Sequence, residues 1–191
     1  MLIFDLNDVA QELVRRGYAA QVVKTPAEAQ AAVLAEAETA ASVAWGGSET
    51  LKQIGVREAL AAAGKEIRDH AIEADLFLLS ANALTADGRI VNIDGRGNRV
   101  AASIGGPKRV VYVVGRNKIV VGGVDDAIAR IKRVACPANT RRLGKRTPCA
   151  LTGVCSDCNS PDRICKVTAV FDRCPGGMPT KVILVDAELG Y

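Results

Sequence analysis

A chain of 191 residues with a formal net charge of +4 is long enough for one sizeable core and too short for two comfortable domains. Its 49% hydrophobic and 24% charged residues exclude a disordered chain, and no apolar run reaches the ~18 residues that a membrane-spanning helix needs. Only 4% of residues are aromatic, which leaves little to stack on exposed bases, so no nucleic-acid partner is expected.

The N-terminal stretch MLIFDLNDVAQELVRR carries acidic residues early and lacks a basic n-region, so no secretion signal is expected and a cytoplasmic location is. Within it Leu6, Val9, Ala10, Leu13 and Val14 share one helical face, and Gly17 ends that helix. QVVK is a short strand. A helix then opens on Thr25 as N-cap, with Pro26 at its first position and Glu28 completing a capping box.

SVAW (42–45) reads as a buried strand, GGS as a turn, and ETLKQIGVREALAAAG as one helix closed by Gly64. EIRDHA predicts a further strand and ADLFLLS (74–80) a buried one. After the turn TADG, RIVNI alternates as a more exposed strand or hairpin partner does. KRVVYVVG (108–115) is the strongest β-branched run, VDDAIARIKRVA (124–135) a helix with acidic residues in its first turn, and KVILVDA (181–187) a final strand. Strand, glycine turn and helix in alternation predict a single α/β domain over 1–191, a Rossmann-like three-layer α/β/α sandwich, with 136–175 as a small Cys-rich lobe.

Two constellations suit a polar ligand. In WGGSETL (45–51), glycines let a strand-to-helix turn bring its N–H groups to an anion, although an ordinary tight turn capped by Ser48 has the same sequence. Residues 80–107 gather Asn82, Thr85, Asp87, Asn92, Asp94, Asn98 and Arg99 among glycines, which fits loops shaped around a ligand as well as plain hairpin turns. The only histidine, His70, has no local partner and is read as structural.

Cys149, Cys155, Cys158 and Cys165, spaced C-x5-C-x2-C-x6-C, suit a zinc ion, a [2Fe–2S] or a [4Fe–4S] cluster by count. A reducing compartment disfavours a disulfide framework, and the cations Arg141, Arg142, Lys145, Arg146, Arg163 and Lys166 offset thiolate charge or form a solvated basic loop. Cys136 and Cys174, each followed by proline, stand outside this group as spare ligands, a disulfide pair or small apolar residues.

The strings WGGSETLKQIG, SANALTADGRIVNIDGRGNRVAASIGGPKRVVYVVGRNKIV and LGKRTPCALTGVCSDCNSPDRIC together resemble the LUD domain family, associated with lactate utilization. The resemblance implies a NagB/RpiA/CoA-transferase-like fold with ligand loops at strand ends, where Gly46, Gly47, Ser48, Asp94, Gly95, Gly97 and Asn98 match ligand-holding positions. Glu49 stands where a CoA-transferase nucleophile is expected, and equally where a helix dipole favours an acid.

Members of the family act with iron–sulfur partner proteins in oxidising lactate to pyruvate, and the Cys-rich tail here departs from them. That setting favours an iron–sulfur cofactor, [4Fe–4S] first, over zinc and over a metal-free cluster. The implied function is a component of a redox system for lactate or a related hydroxy acid, binding a small anionic ligand through Gly46, Gly47, Ser48, Glu49, Asn82, Thr85, Asp94, Gly95, Gly97, Asn98 and Arg99. A sugar-phosphate or acyl-CoA isomerase or transferase with a structural Cys lobe is the alternative, and a non-catalytic subunit docking an acidic partner through 141–146 a third. A homodimer is the default oligomer.

Overall fold

The structure, a computed structural model, describes residues 4–191. Residues 1–3, part of the stretch read for a secretion signal, lie outside the described residues.

The chain begins with helix α1 (Leu6–Arg15), strand β1 (Ala19–Val23) and helix α2 (Pro26–Ala37), followed by β2 (Ser42–Trp45). Short helices α3 (Glu49–Gln53) and α4 (Val56–Ala62) lead to β3 (Glu66–Ile67) and β4 (Leu76–Leu79). A hairpin of β5 (Ala83–Thr85) and β6 (Ile90–Asp94) is followed by α5 (Asn98–Ala102), β7 (Arg109–Gly115) and β8 (Ile119–Val120). Helix α6 (Val124–Arg130) runs through a π-helical turn into α7 (Cys136–Arg142), and α8 (Pro148–Thr152), β9 (Val167–Phe171) and β10 (Thr180–Val185) complete the chain.

Six strands form a central sheet in the order β1-β10-β7-β4-β2-β3 with every pairing parallel. Such a sheet buries both faces, and alternate residues of β7 divide accordingly. Val110, Tyr112 and Val114 pack with α1, α5 and the hairpin, whereas Val111 and Val113 pack with α2, α3 and α4. The result is the expected three-layer α/β/α fold. Among the described residues no helix is long and apolar enough to cross a membrane.

A second sheet, β8-β5-β6-β9, lies over the first. Here RIVNI is the hairpin partner rather than an exposed strand, because β6 pairs antiparallel with β5 and all of it is buried. Ile90 joins the central core, while Val91 and Ile93 are covered by Ala127, Ile131 and Ala135 of the α6–α7 helix. The Cys-rich segment is joined to this sheet by β9, which pairs antiparallel with β6 from Ile90↔Phe171 to Asp94↔Val167.

Local chemistry accounts for other departures. The helix expected over 49–64 breaks at Gly55, whose φ of +64° favours glycine, and only Glu66–Ile67 of EIRDHA is strand. The helix from Val124 does not stop at 135; the π-helical turn at Ile131–Ala135 carries it past Pro137, which has no N–H to donate backwards. At α2, Thr25 Oγ1 accepts from the Glu28 N–H at 3.1 Å, but the Glu28 carboxylate reaches the N–H of Lys24, one residue before the expected partner. Replacing Thr25 by alanine is expected to cost about 1 kcal/mol of stability, read as a lower urea midpoint at unchanged m-value.

Candidate functional site

Along the chain, β2 is followed by β3 on one side and β4 on the other, so the crossovers part between β2 and β4 and leave a crevice at their carboxyl ends. A cleft of about 660 Å³ opens there. Gly46, Gly47 and Ser48 after β2, Ser80 after β4 and Lys118 after β7 line its sheet side. One wall is the β6–α5 connection with Asp94, Gly95, Arg96 and Arg99. The other is the α6–α7 helix with Cys136, Asn139 and Arg142, followed by Lys145 and Tyr191.

Arg99 is pinned rather than free. Its Nε and Nη2 donate to Asp94 Oδ1 at 2.8 and 2.6 Å, and Nη2 also donates to Asn82 Oδ1 at 2.7 Å. Asp94 Oδ2 accepts the Val100 N–H at 2.9 Å, so the one carboxylate holds both the guanidinium and the start of α5. Asn82 Oδ1 also accepts from the Ile93 N–H at 2.9 Å. Glycine is needed at 46 because a Cβ there would sit 2.9 Å from Arg99 Cδ, whereas a Cβ at Gly47 would meet nothing within 4 Å.

Lys118 is the residue that the sequence did not reveal. It is 4% exposed, and its Nζ donates to Thr50 Oγ1 at 2.8 Å and Ser80 Oγ at 2.9 Å. Burial first, then the cations Arg130 and Arg99, pushes its amine down to about 7. The sequence signal that could have found it is position: GRNK directly follows β7, the central strand of greatest β-branched content, where α/β sheets place ligand groups.

The cleft gathers Gly46, Gly47, Ser48, Glu49, Asn82, Asp94, Gly95, Asn98 and Arg99 of the expected set. Thr85 and Gly97 lie outside it. Thr85 Oγ1 bonds with Asp87 and the Arg89 backbone to set the hairpin turn, and Gly97 starts α5 with a φ of +81°. Ser48 Oγ is spent on the Leu51 N–H at 3.3 Å, and α3 is only 5 residues long, so positive potential comes from side chains rather than a helix end. Glu49 faces Arg142 at 3.5 Å, and Arg142 Nε also donates to the Tyr191 hydroxyl at 2.7 Å. Five cationic side chains thus line the cleft against two carboxylates, and both carboxylates are engaged, by Arg99 and Arg142.

All six cysteines are free thiols. Cys174 packs in the central core and Cys136 in the cluster over the second sheet, so the two form no disulfide. Cys149 is buried beside the hydroxyls of Thr147 and Thr140, at 3.4 and 3.7 Å. Cys136 lines the cleft and packs in the same cluster as Cys165; burial first, then Cys165, Cys149 and Cys155, pushes its thiol up to about 12. Arg163 holds the loop together by donating to the carbonyls of Cys158 at 2.7 Å and Cys165 at 2.8 Å and to Asp157 at 2.8 Å.

The donor chemistry of these thiols suits a thiolate-bound metal. Among the described residues, however, no three Cys, His, Asp or Glu side chains are grouped so as to hold a metal ion. Cys149, Cys155 and Cys165 lie near Cys136 without forming a coordination shell among the described residues.

The family model described as LUD domain matches residues 6–185. The crystal structure of a DUF162 family protein from Deinococcus radiodurans is similar in fold, with a TM-score of 0.58 at 18% identity over 95% of this chain and 96% of that one. No curated protein matches the chain.

Proposed function

Because the chain belongs to the LUD domain family, which is associated with lactate utilization, we propose that it binds a short 2-hydroxy or 2-oxo carboxylate in the cleft as a component of a redox system. The observation that carries this reading is the charge of the lining. With Asp94 and Glu49 already paired, Lys118, Arg96 and Lys145 are left facing the cleft without an ion-pair partner among the described residues. A carboxylate supplies what this lining lacks. Glu49, held by Arg142, is poorly placed to act as a transferase nucleophile.

The reading includes an iron–sulfur cluster, [4Fe–4S] in preference to zinc, held by Cys149, Cys155, Cys158 and Cys165. When bound, the group would supply a one-electron acceptor in the Cys-rich segment. The protein's own part is to hold the carboxylate against the rim cations Arg96 and Lys145, to cover the Lys118 amine with Gly190, and to keep Arg99 fixed through Asp94. Iron–sulfur partner proteins complete the system in this proposal.

The test is iron and acid-labile sulfide analysis with a visible spectrum on anaerobically purified protein, comparing wild type with Cys155→Ser. Iron and sulfide in the wild type and their loss in the variant are expected. Zinc, or no metal, removes the redox part of the reading, and a melting temperature unmoved by both lactate and pyruvate removes the ligand part.

A further inference from the structure

Lys118 is placed in a way that charge recognition alone does not require. An amine that serves only to attract a carboxylate is best kept charged, and rim residues such as Arg96 and Lys145 do that in contact with water. Lys118 is instead sunk to 4% exposure at the carboxyl end of the sheet, with two hydroxyls and no carboxylate as its partners. A buried amine without a counter-ion costs stability, so its retention at the floor of a cleft needs a chemical reason.

The surroundings specify that reason. Thr50 Oγ1 and Ser80 Oγ take two of the positions around Nζ, at 2.8 and 2.9 Å, which leaves a further tetrahedral position of the nitrogen unassigned by the protein. Gly190, with a φ of +61°, covers the amine so closely that a Cβ there would lie 3.1 Å from Nζ and 2.7 Å from Thr50 Oγ1. The nitrogen is therefore confined, flanked by proton-relaying hydroxyls, and part of the cleft lining. The nearby cations Arg130 and Arg99, with burial, favour its neutral, nucleophilic form.

Resting on the reading of the cleft as a carboxylate site, we propose that Lys118 condenses with the keto carbon of a bound 2-oxo carboxylate to form an imine. The nitrogen lone pair attacks the carbonyl carbon and the carbonyl π pair moves to oxygen, which takes up a proton to give a carbinolamine. The carbon–oxygen bond then breaks as the C=N bond forms, and the oxygen leaves as water carrying both protons of the neutral amine, passed by the hydroxyls of Ser80 and Thr50. No oxidant or reductant enters this step. The substrate class is thereby narrowed to acids with a carbonyl next to the carboxylate, with Arg96 and Lys145 available to the carboxylate.

The experiment is reductive trapping of the full chain with pyruvate and cyanoborohydride, followed by intact-mass analysis and peptide mapping, beside melting curves with pyruvate and with lactate, which has no keto group. One reduced adduct per chain, mapped to Lys118 and about tenfold above the labelling of any exposed lysine, is the expected result, with lactate raising the melting temperature but leaving no adduct. Melting curves shifted by both acids with no adduct, or labelling spread evenly over surface lysines, overturn the imine and leave the carboxylate site standing. Curves shifted by neither acid, again without an adduct, overturn both.

Discussion

Replacing Asp94 by alanine is expected to lower the unfolding free energy by about 3–5 kcal/mol, the range for breaking a buried ion pair from one side. Asp94 is 6% exposed and Arg99 13%, so solvent screens the pair little. The variant strands the guanidinium, whose Nε and Nη2 lose their anchor, and it also removes the acceptor of the Val100 N–H at the start of α5. Urea unfolding measures the loss. Adding Arg99→Met to the variant is expected to return a large part of it, since most of the cost is an uncompensated charge rather than a lost attraction. A single variant within about 1 kcal/mol of wild type would mean that Arg99 finds water or Asn82 at no cost.

The second large effect concerns pH. In the folded chain the Lys118 amine is pushed down to about 7 from an ordinary 10.5. Between those values the unfolded chain holds the proton and the folded chain does not, so the unfolding free energy rises with pH at up to about 1.4 kcal/mol per pH unit. Below pH 7 both states are protonated and the full penalty for the buried charge is present. Lys118→Met is therefore expected to be more stable than wild type by several kcal/mol at pH 6, with the gap closing towards pH 10. The difference between the two proteins is the quantity to follow, because Cys136, raised from 9.0 to about 12, contributes the opposite slope above pH 9 in both. A gap that does not change with pH would show that Lys118 keeps an ordinary amine.

Where local sequence decides the structure, the reading succeeds. Val110–Val114 is a buried strand because no other conformation suits so β-branched a run, Gly17 and Gly64 end helices at positive φ, and Thr25 caps α2. Where distant parts of the chain decide, it fails. Lys118 sits in a polar GRNK turn that reads as surface, and its burial comes from Thr50, Ser80 and Gly190, none of them near it in sequence. Residues 90–94 look half-exposed until the α6–α7 helix covers them.

The candidate site divides the same way. The glycine at 46 belongs to the WGGS turn and the Asp94–Arg99 pair to the dense polar stretch over 80–107, whereas Thr85 and Gly97 share the composition of that stretch and serve turns instead. Sequence distance separates Cys136 from Cys165, and the fold cancels that distance by bringing both into the cluster over the second sheet.

That return along β9 ties two regions by backbone. The strand pairs with β6 as far as Asp94, the N–H of Lys166 donates to the Asp94 carbonyl at 2.9 Å, and Gly95 lies so close beneath Ile164 that a Cβ there would be 3.3 Å from the Ile164 carbonyl. The residue that fixes Arg99 and the residue next to Cys165 therefore move together. If the proposed metal drew Cys165 to a new position, the wall of the cleft would shift with it, and a ligand that distinguished the two wall positions would by reciprocity change the affinity of the thiols for that metal by the same factor. The ladder between β6 and β9 is the path such a coupling would take.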